Sequence, residues 1–544
     1  MLNHPCLKTY PLECVDLLKR ARAAFKAGRT LKENFRLTQL DAVVRMLEEH
    51  ECDFVDALGR DLHKVRPRFE TVVSELILVK NEALHAVNNL RKWMQPQSVE
   101  RNLVRPFLHN IMEIFPDEPL GVVFIMGTFC SPVQMCLVPL VGAIAAGNCA
   151  IISPSECTAH TAELLHRLIP FYLDNECFHV ILAGMGDLPE IVELKFDHVF
   201  FSGKHTIFKT GIAVAAARTL TPVTLILGGK NPCYVDQHCD MATIVQRIAW
   251  ACFHNAGQSL VAPSYILCHT DVKARLVQAL KCCLMQFYGC NPRESRSFGR
   301  MVNLDLFSRT SDILWRSGKV AVGGQVIEGE KYIAPTILTE VSESDPIMQQ
   351  EVFGPVLPIL TVNSVDEAIA FINKHEKPLC VYAYSSNSKV ISRLMSETSS
   401  GSFCSNDCVL QSLMVALPFG GVGASGMGSC HGRYSFDTFS HRKSCLQRST
   451  RFECVTYLRY PPYEDRNLSL MTWASTLSQK SQGWSAYLAT VNRTSIRCVV
   501  EGAFVLLLVL ITRLTCSGTL QHLDLPPLSA QLVQHCNNNR AVKQ

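Results

Sequence analysis

Between about Pro11 and Trp93 apolar residues recur at spacings of three and four among charged ones, as in Val43, Met46, Leu47 and again in Val55, Leu58, Leu62. That period predicts helices with one buried face. From Pro119 the texture changes: short apolar runs, Gly121-Val-Val-Phe-Ile-Met126 first among them, alternate with helical stretches and glycine-bearing turns. Such a rhythm marks βαβ units on a parallel sheet. Cys149-Ala-Ile-Ile152, Val180-Ile-Leu182 and His198-Val-Phe-Phe201 continue it, which predicts a dinucleotide-binding α/β domain from about Pro119 to Leu225. A second α/β region runs from Gly228 to about Asn406, with helices at Ala242–Ala251 and Lys273–Phe287 and strands near Tyr265 and Leu357, and would form the other wall of a cleft. The stretch from Leu417 to Gly428 is too rich in glycine for a regular element and reads as a long turn where backbone passes close to a neighbour.

After Ser449 the pattern shifts again. The tail from Tyr460 to Gln544 contains Pro461-Pro462, Ser-rich and Gln-rich pieces, and one apolar run from Gly502 to Thr512 closed by Glu501 and Arg513. A membrane-spanning helix needs about 20 apolar residues, so the run predicts a tail helix packed on the body or left poorly ordered, with attachment to a membrane surface as the alternative.

A chain of 544 residues is too long for one core and divides into two or three domains. With 48% hydrophobic and 18% charged residues the balance is that of a globular protein, not a disordered one. The net charge of +4 is small, and no basic run interleaved with aromatics appears, which excludes a nucleic-acid partner. The 24 cysteines are scattered; Cys404 and Cys408 come nearest to a metal-ligand spacing, without a second pair, so no metal site is expected. The N-terminal stretch lacks a basic start followed by an apolar segment, and no secretory signal is read there. A cytoplasmic location with reduced thiols follows, in which the sequon Asn492-Arg-Thr494 carries no meaning.

Several motifs then fall in order: Pro139-Leu-Val-Gly-Ala-Ile-Ala-Ala-Gly-Asn148, Leu227-Gly-Gly-Lys-Asn-Pro-Cys-Tyr234, Ala256-Gly-Gln258, Glu351-Val-Phe-Gly-Pro355, Pro418-Phe-Gly-Gly-Val-Gly423 and Ser435-Phe-Asp-Thr-Phe-Ser-His441. Over about Asp16 to Ser449 the chain resembles the family 3 aldehyde dehydrogenases, and Asn231 to Asp236 with Leu458-Arg-Tyr-Pro-Pro462 tilt the resemblance to the B branch. The resemblance implies an α/β fold of three parts: a Rossmann-like dinucleotide-binding domain (1–99 and 119–226), a catalytic domain (227–410) and a small bridging element that usually makes a homodimer (100–118 and 411–449), followed by a divergent tail (450–544). It further implies oxidation of medium- or long-chain or aromatic aldehydes to acids with NAD or NADP. That reaction needs a thiolate to attack the aldehyde carbon, donors for the resulting oxyanion, a nicotinamide to take hydride and a base to activate water.

At those positions the residues depart from the family. The nucleophile belongs two residues after the Gln of Gly-Gln-x-Cys, and this chain reads Gly257-Gln258-Ser259-Leu260. The general base, the Glu of Glu-Leu-Gly-Gly-Lys, corresponds to Ile226, and the oxyanion-binding Asn of Trp-Asn-Tyr-Pro to Cys130, whose S–H is a weak donor. On the cofactor side the Lys of Lys-Pro-Ser-Glu becomes Ser153 while Glu156 is kept, and in Gly-x-x-x-x-Gly the first glycine is Gly203 and the second becomes Phe208, which should crowd the diphosphate. Glu351 and Phe353, which in the family hold the nicotinamide ribose and ring, match. The expectation is a catalytically impaired paralogue with an intact fold, because apolar Leu260 and Ile226 pack without unpaired charge. Cys130, or Ser259 adjacent to the vacant position at Leu260, would be the substitute nucleophile if activity survives; Cys252 and His254 read as structural. The chain closes Ala541-Val-Lys-Gln544 without a C-a-a-X box, so lipid attachment by that route is not expected.

Overall fold

The computed structural model describes residues 11–63, 67–98, 110–184, 186–203, 208–448 and 459–475. They divide into two compact units, one of residues 1–95 and 116–442, the other of residues 96–115 and 443–544.

In the larger unit the helical pattern of the first hundred residues becomes helices at Pro11–Lys26, Glu33–Glu49, Glu51–Asp61, Pro67–Thr71 and Ile77–Trp93. A single π turn, Val72–Leu76, interrupts the last two. The first sheet runs in the order 426–427, 223–227, 198–203, 122–126, 149–153, 178–180; all neighbours are parallel except the short first strand, which runs antiparallel to Val223–Leu227. Its third apolar run forms a strand at Phe178–Val180, slightly earlier than the hydrophobic pattern alone places it. Val122–Met126 is buried throughout, as expected of a central parallel strand covered on both faces. The helix Gln134–Ala146 is buried on every side because it runs beneath Ile77–Trp93 and Gly432–Thr438.

That helix ends on Gly147, at φ +89°, a left-handed cap that glycine adopts at least cost. A methyl group on Gly147 would stand 2.5 Å from the guanidinium of Arg36. Arg36 is 2% exposed and donates to the carbonyls of Thr30 (3.0 Å), Ala145 (3.1 Å) and Leu31 (3.3 Å). Ala145 is in the last turn, so a cation meets one of the carbonyls that a helix end leaves without a partner. Asn148 follows: its Oδ1 accepts from the Gly121 N–H (2.9 Å) and its Nδ2 donates to the Phe439 carbonyl (2.8 Å), which pins the start of Val122–Met126 to the end of Gly432–Thr438.

The second sheet has the order 319–322, 336–339, 356–362, 265–269, 232–235, 380–384, 402–405, parallel except at its first strand. Helices Met241–Phe253 and Lys273–Tyr288 pack on each other beside it, where the sequence pattern expects them.

Residues 411–442, assigned from sequence to the bridging element, belong with the larger unit. The physical reason is that Gly426-Met427 hydrogen-bonds as an edge strand to Leu225-Ile226, and Ser435 packs so closely on Gly142 that a Cβ there would lie 2.5 Å from the serine. The smaller unit contains most of a three-stranded sheet, in the order Gln97–Ser98, Asn110–Pro119, Ser440–Arg448, and a helix at Asp465–Ser475. The apolar run Gly502 to Thr512 lies outside the described residues; among those described, no helix is long and apolar enough to cross a membrane.

Arg36→Met keeps the volume but leaves the three carbonyls without their donor in the core. Urea unfolding is expected to show a loss of about 3 kcal/mol; an unchanged midpoint would remove Arg36 from the account of this helix end.

Candidate active site

After Phe253 the chain makes an unusual turn. Asn255, Ala256 and Gly257 all have positive φ (51°, 54° and 72°), a conformation that costs about 1–2 kcal/mol for each residue other than glycine. Gly257 has no alternative, since a Cβ would meet the Gly354 carbonyl oxygen at 2.3 Å. The turn is held by amides. Gln258 Nε2 donates to the carbonyls of Asn255 and Arg300 (both 3.0 Å), and its Oε1 accepts from the Val302 N–H (2.9 Å). Asn255 Nδ2 donates to the Gln258 carbonyl (3.0 Å) and reaches the Cys130 carbonyl at 3.4 Å. Just beyond, Asn231 Nδ2 donates to the carbonyls of Leu260 (2.9 Å) and Ala262 (3.0 Å) while its Oδ1 accepts from the Cys380 N–H (3.0 Å). The turn therefore delivers Ser259 and Leu260 to a fixed place.

That place separates two hollows. One, of about 620 Å³, is lined by residues that include Ser74, Glu75, Cys130, His254, Leu260 and Phe419. The other, of about 440 Å³, is lined by residues that include Gly229, Gly257, Glu351, Phe353 and again Leu260. Ser259 and Leu260 are common to both, and Leu260 is 6% exposed. Of the residues singled out in the sequence, the structure thus brings Leu260 and Cys130 to the first hollow and Leu260, Glu351 and Phe353 to the second. Ile226 lines neither; it is wholly buried in the strand Val223–Leu227, opposite Gly426.

Cys130 sits in the first hollow with its sulfur 3.6 Å from the Thr128 hydroxyl. Burial pushes its thiol up to about 12; the Thr128 hydroxyl and the Leu260 N–H, both hydrogen-bonded to the sulfur, pull the other way and the Glu75 charge adds to the rise. The backbone donor at 260 and the side chain at 130 therefore do converge, but on a neutral thiol. In the second hollow, Gly228 is required: a Cβ there would lie 2.1 Å from the Glu351 carboxylate. Arg309 donates to the Glu351 carbonyl, and Lys230 to those of Ile347 and Gln350, so two cations brace the loop that carries Glu351. Burial lowers the Lys230 ammonium to about 7 against the pull of the Glu351 charge. Phe353, at φ +50°, packs against Phe129 with ring centres 5.9 Å apart.

The remaining cofactor positions lie at the strand ends. Ser153 ends the strand Cys149–Ser153 and is 3% exposed; Glu156 opens the short turn Glu156–Thr158 and is exposed, near Gly184. Gly203 ends its strand against the ring of Phe201, which a Cβ would approach to 2.6 Å. Phe208 opens the helix Phe208–Arg218, and the expectation that its side chain crowds the diphosphate lies outside the described residues.

Sequence reasoning missed Glu75, Ser74 and the position of His254. Glu75, buried, accepts from the N–H groups of Val133 (3.1 Å) and Gln134 (2.9 Å) at the start of Gln134–Ala146. Ser74 and Glu75 belong to the π turn, whose extra residue changes which side chains face the hollow. No motif spacing announces them. Among the described residues, no group of three or more His, Cys, Asp and Glu is placed to hold a metal.

A two-lobed α/β unit with a strained turn between two hollows at its centre is the architecture of a dehydrogenase acting on aldehydes. Residues 12–445 match the model of the aldehyde dehydrogenase family, and the chain belongs to that family. It is 47% identical over 456 residues to mouse aldehyde dehydrogenase family 3 member B1, covering 84% of this chain and 96% of the relative, and 48% identical over 457 residues to mouse family 3 member B2, covering 84% and 94%. Among solved structures, the substrate-bound state of Staphylococcus aureus AldH superposes with a TM-score of 0.81 at 39% identity, covering 84% of this chain and 99% of that one.

A thiol raised to about 12 is present as thiolate at roughly 10⁻⁴ of the total at pH 8. In the folded protein, iodoacetamide at that pH is expected to label the exposed Cys52, Cys282 and Cys290 and spare Cys130. Labelling of Cys130 as fast as these, read by peptide mass spectrometry, would contradict the burial described above.

Proposed function

We propose that this chain is a catalytically impaired aldehyde dehydrogenase of family 3, acting through binding or association and not through turnover. The observation that carries the reading is Leu260, a buried hydrocarbon at the shared wall of the two hollows, where the family's reaction needs a thiolate. Ile226 offers no proton acceptor in place of the family's glutamate. Removing nucleophile and base together leaves only the contribution of binding, a loss of about 10⁴-fold or more by analogy with dissected catalytic triads.

NAD or NADP is the cofactor the family resemblance brings. The nicotinamide side of the site fits it in that the second hollow is bordered by Glu351 and Phe353, the two residues that match the family there. A nicotinamide bound there would supply a hydride acceptor; Leu260 forms no adduct with an aldehyde from which hydride could pass. The first hollow, with Met135, Val261, Leu413 and Phe419 among its walls, suits an apolar aldehyde or its carboxylic acid, the substrate class of the family. A homodimer and a cytoplasmic location with peripheral membrane contact through the tail belong to the same reading. Both rest on resemblance and on the sequence of the tail.

A second reading keeps activity through Cys130, which has two hydrogen bonds to its sulfur in its favour and complete burial against it. Absorbance of the reduced nicotinamide separates the two. The full chain with a long-chain aldehyde and NAD or NADP is expected to show no turnover, whereas Leu260→Cys combined with Ile226→Glu is expected to gain it. Clear native turnover would sink the impaired-enzyme reading. Thermal-shift titration reports cofactor binding independently, because only a ligand of the native state raises the melting temperature.

A further inference from the structure

Beside the first hollow three side chains meet that the dehydrogenase reaction does not use. Glu70 is in the helix Pro67–Thr71 and Ser74 in the π turn that follows, four residues apart and so on one face. Across from them His254 ends the helix Met241–Phe253, immediately before the left-handed turn. His254 Nε2 is 3.1 Å from Ser74 Oγ, and His254 Nδ1 is 3.3 Å from Glu70 Oε1. Both Ser74 and His254 line the hollow, and the side chains of His254 and Glu70 retain 17% and 26% of their exposure.

His254 Nδ1 makes no hydrogen bond among the described residues, and the Glu70 carboxylate 3.3 Å away acts on it by charge alone. That charge favours a proton on Nδ1, which leaves the Nε2 lone pair facing the serine hydroxyl. Ser74 Oγ also lies 2.5 Å from the Glu70 carbonyl oxygen, so its single proton has two acceptors, and rotation about one C–O bond moves it from the backbone to the imidazole. The π turn makes this possible: it sits where the helix would otherwise continue evenly from Thr71 to Ile77, and such turns are frequent at functional sites.

We propose that Ser74, His254 and Glu70 form a hydrolytic site for carboxylic esters with an apolar acyl group, opening into the first hollow. Ser74 Oγ bonds to the ester carbonyl carbon as its proton passes to His254 Nε2. The C–O bond to the alcohol then breaks, and the departing oxygen takes that proton. Water, activated by the same imidazole, cleaves the acyl-serine to release the acid, with no change of oxidation state. Ser131 and Gln134 line the same hollow and carry side-chain donors for the transient oxyanion. Glu70 acts through His254 and is a positioning residue. The apolar walls, Met135, Val261, Leu413 and Phe419, set the preference for the acyl chain.

The test uses the full chain and a fluorophosphonate, which modifies activated serines. Peptide mass spectrometry is expected to find the label on Ser74 in the native protein and at least about 100-fold slower labelling in His254→Gln. With exposed thiols blocked, hydrolysis of 4-nitrophenyl butyrate is expected to lose about 100-fold or more in kcat in Ser74→Ala, and about tenfold in Glu70→Gln with KM unchanged. Absence of label on Ser74 in the native chain overturns the proposal without reliance on any variant. Equal labelling of His254→Gln also overturns it, as does a Glu70→Gln effect confined to KM.

Discussion

The left-handed turn at Asn255, Ala256 and Gly257 is the constraint on which the rest of the site depends. Three residues in a conformation that L-amino acids avoid cannot stand by themselves; the side-chain amides of Gln258 and Asn255 hold them, and the Gly354 carbonyl closes over Gly257. From that turn the chain has one way forward. It places Leu260 between the hollows, aims its N–H at the Cys130 sulfur and leaves His254 at the rim.

Scaffold and chemistry are separable here because they use different atoms. The scaffold is made of amides and backbone: Asn231 between Leu260, Ala262 and Cys380, Gln258 between Asn255, Arg300 and Val302, Asn148 between Gly121 and Phe439. All of these are present. The chemistry of the family requires ionisable side chains at 260 and 226, and both are hydrocarbons. Charged groups in a dry site are costly, so replacing them with leucine and isoleucine relieves a destabilising demand on the fold. The architecture therefore does not depend on the residues that the family's reaction needs.

What the sequence disclosed follows the same division. Buried parallel strands leave continuous apolar runs, so the sheets were legible, and Leu260, Ile226 and Cys130 stood out because fixed motifs flank them. A glycine-rich stretch says that backbone comes close to something without saying to what; here it is the edge of the first sheet at Ile226. Arg36 looked like any charged residue of an amphipathic helix, and only the end of Gln134–Ala146 explains its burial. His254 read as structural because its partners, Glu70 and Ser74, lie far from it along the chain and carry no common motif.

One side chain belonging to two cavities has a thermodynamic consequence. Leu260 cannot change rotamer for a ligand on one side without changing the wall seen from the other. Any ligand that shifts it therefore alters affinity in the opposite hollow, and by reciprocity a ligand there returns the same factor. In a dehydrogenase, covalent chemistry at this position couples substrate to cofactor. With leucine at this position, any coupling between the two hollows is steric.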